Sequence, residues 1–163
     1  TDIPEYTAGL NLGFSWKNFD FSMQWTGAWN VDRMLDEFRR PLGDTNSKAL
    51  LLYQYENTWR SSEDSFTAKF PRASNSSASN NYRGTDLYLI NASYLRLKNV
   101  EIGYNFDFPF MKKLKMNNCR LYVNGYNLLT FTGFDWGDPE SRQSSRPNYP
   151  LTRVFNIGLK LGF

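Results

Sequence analysis

Residues 6–16 read YTAGLNLGFSW and residues 19–31 read FDFSMQWTGAWNV. In the first stretch Tyr6, Ala8, Leu10, Leu12, Phe14 and Trp16 fall on one face, and Thr7, Gly9, Asn11, Gly13 and Ser15 on the other. In the second, Phe19, Phe21, Met23, Trp25, Trp29 and Val31 oppose Asp20, Ser22, Gln24, Thr26 and Asn30. This is the period of a strand, kept for about eleven residues, the length that crosses a bilayer at a tilt. Only Lys17-Asn18 separates the two runs, so they are expected to pair as a hairpin.

Three further strands are expected downstream, at about 92–108, 118–131 and 151–163. In the first of them Leu95 and Leu97 share one parity, while Val100, Ile102, Tyr104, Phe106 and Phe108 share the other. One extra residue at Lys98-Asn99, a β-bulge, restores a single apolar face. Alternation is weaker in 118–131, with Leu121, Val123, Leu129 and Phe131 against Arg120, Tyr122, Asn124 and Tyr126. It is clear again in the last strand, where Phe155, Ile157, Leu159, Leu161 and Phe163 alternate with Asn156, Gly158, Lys160 and Gly162.

The intervening stretches differ in length and chemistry. Residues 32–91 hold a charged run at Asp36 to Arg40, turn chemistry at Pro41-Leu42-Gly43-Asp44 and a short helical pattern over Lys48 to Arg60. Ala73 to Asn81, ASNSSASNN, reads as a loop tip. Pro109 to Asn117 is a shorter turn, and 132–150 is a second polar loop. Short and long connections thus alternate. With Phe163 placed on the periplasmic side of an outer membrane, both short turns fall in the periplasm and both long loops outside, as in bacterial barrels. A soluble sandwich has no reason to gather its long loops at one end. Its inner face would also be apolar and packed, whereas the face opposite the stripe here is Gly, Ser, Thr, Asn and Gln. Alternation alone still fits either, so a soluble carbohydrate-binding β-sandwich stands as the alternative, with a passive porin or adhesin barrel as a third reading.

Composition narrows the function. With 19 Lys and Arg against 16 Asp and Glu, the net charge is +3 and the basic residues are scattered, so no nucleic-acid partner is expected. Aromatics make up 17% of a chain whose mean hydropathy is negative, at -0.59, a mixture that suits strands with one lipid face and one wet face. There is no His, and the single Cys119 has neither a disulfide partner nor a His to activate it. No catalytic residue, cofactor or resident metal is therefore expected. Five strands cannot close a membrane barrel, since single-chain barrels begin at about eight, so further strands are expected on the N-terminal side. Thr1-Asp2-Ile3-Pro4 carries no signal peptide and reads as the start of a fragment.

Three motifs then occur in order: NASYLRLKNVEIGY at Asn91 to Tyr104, LYVNGYNLLTFT followed by GFDWGDPE at Leu121 to Glu140, and YPLTRVFNIGLKLGF at Tyr149 to Phe163. Together they resemble the C-terminus of the SusC/RagA family of TonB-dependent outer-membrane transporters. Trp59 and Pro71-Arg72 are similar to the Trp and Pro-Arg that family members carry upstream. The resemblance implies an all-β fold: the C-terminal antiparallel strands of a transmembrane β-barrel of about 22 strands, filled by an N-terminal plug. It also implies uptake of oligosaccharides or oligopeptides, energy through TonB, a SusD-like surface lipoprotein as lid, and location in the bacterial outer membrane. The plug and the TonB-contacting segment belong to a region absent from this chain.

Candidate site residues follow from the expected placement. Tyr53, Tyr55 and Trp59 in the first long loop, and Trp136 in the second, are candidates for substrate or lid-protein contact. Trp16, Trp25 and Trp29 are expected as membrane-girdle anchors in contact with lipid. The row Phe155, Ile157, Leu159, Leu161 and Phe163 resembles the C-terminal signal read during barrel insertion. Asp135, Asp138 and Glu140 crowd the last loop, but their spacing is not that of a Ca²⁺ loop, and a structural turn at Asp138-Pro139 is the favoured reading.

Overall fold

Trp16 pairs with Phe19 and Tyr6 with Trp29, so strands β1 (Tyr6–Trp16) and β2 (Phe19–Trp29) form a hairpin over a two-residue turn. Lys17 takes the left-handed conformation that so tight a turn demands, at φ 53°. This hairpin is one end of a five-stranded antiparallel sheet in the order β1-β2-β5-β6-β7, where β5 is Tyr94–Phe106, β6 Asn118–Thr132 and β7 Val154–Gly162. The computed structural model describes residues 2–39, 51–75, 80–107, 109, 115–141 and 151–163. Part of the charged run (Arg40), the turn at Pro41 to Asp44, the first residues of the helical pattern (Lys48 to Leu50), much of the loop tip and of the Pro109 to Asn117 turn, and Phe108 lie outside the described residues.

The strand ends depart from expectation where the sheet gives way to a core. β2 stops at Trp29 because Asn30 turns the chain, with φ 54°. Val31, whose parity placed it in the apolar stripe, is instead 1% exposed and packed with Ala92 and Phe134. Ala92 is likewise part of this core rather than of β5. β7 begins at Val154, three residues later than the pattern suggested, and ends at Gly162, one residue before Phe163.

The bulge falls where the parity switch placed it. Against β2, pairing steps from Gln24↔Asn99 to Trp25↔Leu97, so Lys98 is the residue inserted in β5. β6 lengthens in turn, from Asn99↔Tyr126 to Leu97↔Leu129, with Asn127 in the left-handed region at φ 52°. Residue faces thereby stay aligned across the sheet. Leu12, Met23, Val100, Gly125 and Phe155 lie side by side, and so do Phe14, Phe21, Ile102, Val123 and Ile157. Leu97, paired with Trp25, is buried on this same side, where the rings of Trp25 and Phe131 stack at 6.3 Å.

This apolar face is open to its surroundings. Phe14 is 62% exposed, Ile157 74%, and most of their neighbours are exposed too. Among the described residues the only other sheet is a two-stranded ribbon, β3 (Asp32–Met34) with β4 (Leu89–Asn91), which cannot cover it. A sandwich needs a second sheet on that face.

Both long connections leave from one end of the main sheet. There β3 and β4 pair, a 3-10 turn spans Asp36–Arg39, and a short helix, α1 (Leu52–Asn57), occupies the centre of the helical pattern seen in the sequence. Several aromatic residues at this end turn inward: Phe38, Phe70 and Tyr88 are buried together, with Met34, Leu35, Tyr53 and Trp136 packed around them. The opposite end is closed by direct bonds between turns, Asn105 N–H to the Asn18 carbonyl at 2.8 Å and Asn117 N–H to the Gly162 carbonyl at 2.8 Å.

Candidate functional site

The four loop aromatics separate into two pairs. Tyr53 and Trp136 meet each other, with ring centroids 4.6 Å apart, and both pack on Phe38, at 6.2 Å and 4.8 Å. Trp136 thus joins the second long connection to the first, and its ring belongs to the loop core. Tyr55 is exposed, with the Arg60 guanidinium 5.0 Å from its ring centroid. Trp59 is half-buried and lines a cleft of about 420 Å³ with Ser65, Ala68, Lys69, Phe70, Pro71, Arg72, Asn81 and Leu87.

The frame of this cleft is hydrogen-bonded. Thr58 and Phe70 form an isolated parallel bridge, Trp59 N–H donates to the Phe70 carbonyl at 2.9 Å, and the amides of Lys69 and Phe70 both donate to the Asn57 carbonyl. The Asn81 side-chain amide donates to the Arg72 carbonyl at 3.0 Å, and the Tyr88 hydroxyl donates to the Asn81 carbonyl at 2.6 Å. On the adjoining turn Asp64 accepts from the backbone amides of Arg60 and Ser61, at 2.9 Å and 3.0 Å. Those two donors hold its carboxyl below the usual aspartate range.

The second connection is tied to the polar face of the sheet by charge. Arg96, 3% exposed, donates through Nη2 to Asp138 and through Nη1 to Glu140, each at 2.6 Å, and through Nε to the Thr130 hydroxyl at 3.0 Å. Lys98 reaches the same Glu140 carboxylate at 2.8 Å. Asp138 also caps its own turn by accepting from the Glu140 amide. Asp138 and Glu140, which the sequence set in an acidic cluster, are therefore the anchors of the loop. Nothing in the sequence pattern pairs them directly with Arg96, which lies 42 and 44 positions away. A usable clue was that SYLRLKN supplies two cations and GFDWGDPE two carboxylates within the motifs that define the resemblance.

Nearer the closed end, Arg120 lies across the polar face of β5 and bonds both Asp20 on β2 and Glu101 on β5, the latter at 2.7 Å. Asn105 and Asn124 complete the two carboxylates. Gly103 sits beneath the guanidinium, where any Cβ would collide with it. Asn156 extends the network to β7 through Asn124, at 2.9 Å. The polar face is thus a continuous row of charge and amide groups running over four strands.

A two-faced sheet of this kind, with its loops at one end, has counterparts. TonB-dependent receptor P3 of Formosa agariphila is 33% identical over 98% of this chain, which spans 16% of that receptor. A second TonB-dependent receptor of that organism is 26% identical over 99% of the chain and 17% of its own length. TonB-dependent receptor SusC of Bacteroides thetaiotaomicron is 28% identical over 95% and 15%. Over nearly its whole length the chain matches a segment of TonB-dependent receptors, SusC among them. No protein-family model matches it. It spans about one sixth of the length of these receptors. The fold agrees: the RagAB peptide importer in its closed-closed state superposes with a TM-score of 0.75 at 24% identity, over 100% of this chain and 18% of the importer chain.

The receptor segment places the remaining sequence candidates as follows. Trp16 and Trp29 are exposed at opposite ends of the apolar face, while Trp25 lies between them in its stack with Phe131. Phe155, Ile157, Leu159 and Leu161 are exposed along one side of β7, and Phe163 is exposed just past its end.

Proposed function

We propose that this receptor segment forms wall and outer loops of a TonB-dependent outer-membrane importer of oligosaccharides or oligopeptides. The observation that carries this reading is the two-faced sheet, with an uncovered apolar side and a continuous ion and amide network on the other. Contiguous exposed apolar surface of that extent marks a membrane or partner interface. In a wide barrel the apolar side meets lipid and the polar side the lumen. Ten steps along β2 separate Phe19 from Trp29, which at about 3.4 Å per residue and a tilt near 45° span about 24 Å, close to the apolar band of outer-membrane barrels. Trp16 and Trp29 then act as girdle anchors at the two rims, and Trp25 supports the band between them.

The aromatic end lies outside the cell in this reading. Leu51, Leu52, Tyr55 and Phe66 are exposed there and supply contact surface for a SusD-like lipoprotein or for substrate. Tyr53 and Trp136 act indirectly, by holding the loops in place. The apolar row of β7 serves as the element read during barrel insertion. Coupling to TonB runs through parts of the receptor outside this segment.

The test uses the full-length receptor that carries this segment. It should enter the outer-membrane fraction, migrate faster unheated than boiled on a denaturing gel, retain a surface lipoprotein on purification, and support uptake only in cells with TonB. Recovery in the soluble fraction with no heat-dependent migration would sink the barrel reading. Uptake indifferent to TonB would leave a passive porin.

A further inference from the structure

We propose that the cleft around Trp59 is a subsite for an acidic sugar unit, bound by ion pairing to Lys69 and Arg72 with the sugar ring against the indole. This rests on the importer reading and deepens it by naming the substrate class. The cleft holds about 420 Å³, room for a single sugar unit. Its charged lining residues among those described are Lys69 and Arg72, both cations, with no described carboxylate beside them. Neither cation forms a salt bridge among the described residues. Arg96, Lys98 and Arg120, by contrast, are each bound to carboxylates. Asp64, on the turn that carries Ser65, is taken up by two backbone amides and by Arg60 at 3.7 Å.

The Lys69 cation is positioned before any ligand arrives. The Lys69 ammonium donates to the Tyr53 hydroxyl at 3.2 Å and lies 5.4 Å from the centre of that ring, which is itself locked by Trp136 and Phe38. The Arg72 backbone is clamped through its carbonyl to Asn81, and the Trp59 backbone through its amide to Phe70. A cation already positioned loses little freedom on binding an anion. A guanidinium beside an ammonium suits a carboxylate or sulfate, and an indole face suits the apolar side of a pyranose ring. An extended peptide would instead seek a free strand edge. Here the amides of Trp59, Lys69 and Phe70 are already spent on Phe70 and Asn57.

The experiment is calorimetric titration of the full-length receptor in detergent. The probes are tetragalacturonate, its fully methyl-esterified form and tetraglutamate, with heat-dependent gel mobility scored on the same samples. Tetragalacturonate should bind at least about ten-fold tighter than its uncharged ester or than the peptide, and weaken as salt rises. Lys69→Gln combined with Arg72→Gln should abolish the preference for the charged form, Arg72→Lys should keep part of it, and Trp59→Ala should weaken both saccharides alike. Equal affinity for acid and ester, no saccharide binding, a preference for tetraglutamate, or an unchanged preference in the double variant would each overturn the subsite. A properly folded barrel with any of those outcomes leaves the importer reading standing. Loss of heat-dependent mobility in the unsubstituted receptor would bring down that reading itself.

Discussion

The sheet and the loop end of this segment use the same residue types in opposite senses. Along the sheet, Phe14, Trp16, Phe155 and Ile157 point outward and are exposed, while Asp20, Glu101 and Arg120 satisfy one another on the inner face. At the loop end Phe38, Phe70 and Tyr88 point inward, and the charges of Arg96, Asp138 and Glu140 pin the structure from its flank. The wall is inverted relative to a soluble protein and the crown is not. In the importer reading, what decides is the solvent each meets: hydrocarbon on the outside of the wall, water around the crown. An aromatic residue in this molecule therefore has no meaning until its region is known.

The sharpest way to break the crown without touching the wall is Arg96→Ala. It leaves Asp138, only 10% exposed, without its guanidinium, and removing one partner of a buried pair costs about 3–5 kcal/mol. Hydrogen exchange on the refolded receptor should show residues 133–141 losing protection, with β1, β2 and β7 unchanged. Lys98→Ala should do much less, because that ion pair is about one-third exposed on both sides. Equal effects from the two would mean that the loop is not held through Arg96.

Trp136→Ala comes next. A fully buried Trp lost to Ala costs about 3–5 kcal/mol, and this half-buried ring should cost nearer 2–3, through its contacts with Phe38 and Tyr53. Trp16→Ala, on the exposed face of the wall, should leave stability in detergent nearly unchanged, and this contrast is the comparison in a single pair of variants. Thermal melts of both receptors, followed by tryptophan fluorescence, give the answer.

The same inversion explains what the sequence could and could not tell. The wall was legible because an apolar face and a polar face impose period two on its strands, and the break in that period at Lys98 marked the bulge. The crown has no period. Val31 continued the stripe by parity yet belongs to the loop core, since one left-handed residue, Asn30, redirects the chain. From the sequence Tyr53 and Trp136 stand only as contact candidates, because an aromatic in an outer loop has no visible partner there; the rings they meet, Phe38, Phe70 and each other, come from distant positions. The latch of Arg96 on Asp138 and Glu140 was hidden for the same reason. Trp59 and Tyr55, which keep exposed surface, are the candidates left facing the medium.

Within the wall, Gly103→Val tests whether the inner face is a real network or a set of adjacent charges. The new side chain would meet the Arg120 guanidinium and Asp20, lifting Arg120 off the sheet. Overpacking of this sort costs about 1–3 kcal/mol, and an exposed wall should sit at the low end. The melting point of the refolded barrel should fall, while the hydrogen exchange of residues 133–141 stays as it was. If Gly103→Val left the melting point unchanged, Arg120 would be free to reach its partners by another path, and the network would be looser than its geometry implies.

The smallest effect lies in the crown and depends on pH. Asp64 closes the turn after Trp59 by accepting two backbone N–H bonds, which favour the carboxylate and hold its pKa below the ordinary aspartate value of 3.8. A carboxyl depressed in the folded state contributes stability that is complete above its unfolded pKa and is lost as pH falls through the folded value. Between pH 7 and the unfolded value the turn should therefore be indifferent to acid. Below 3.8, as the depressed folded pKa is approached, the amide resonances of Arg60 and Ser61 should shift together, and the overall melting point should barely move, since the group lies at the surface. Asp64→Asn keeps one acceptor oxygen but not the charge, so it should shift the same two amides at neutral pH and remove their acid titration. A titration that survived in Asp64→Asn would belong to another carboxyl, and the turn beside Trp59 would owe its shape to backbone bonds alone.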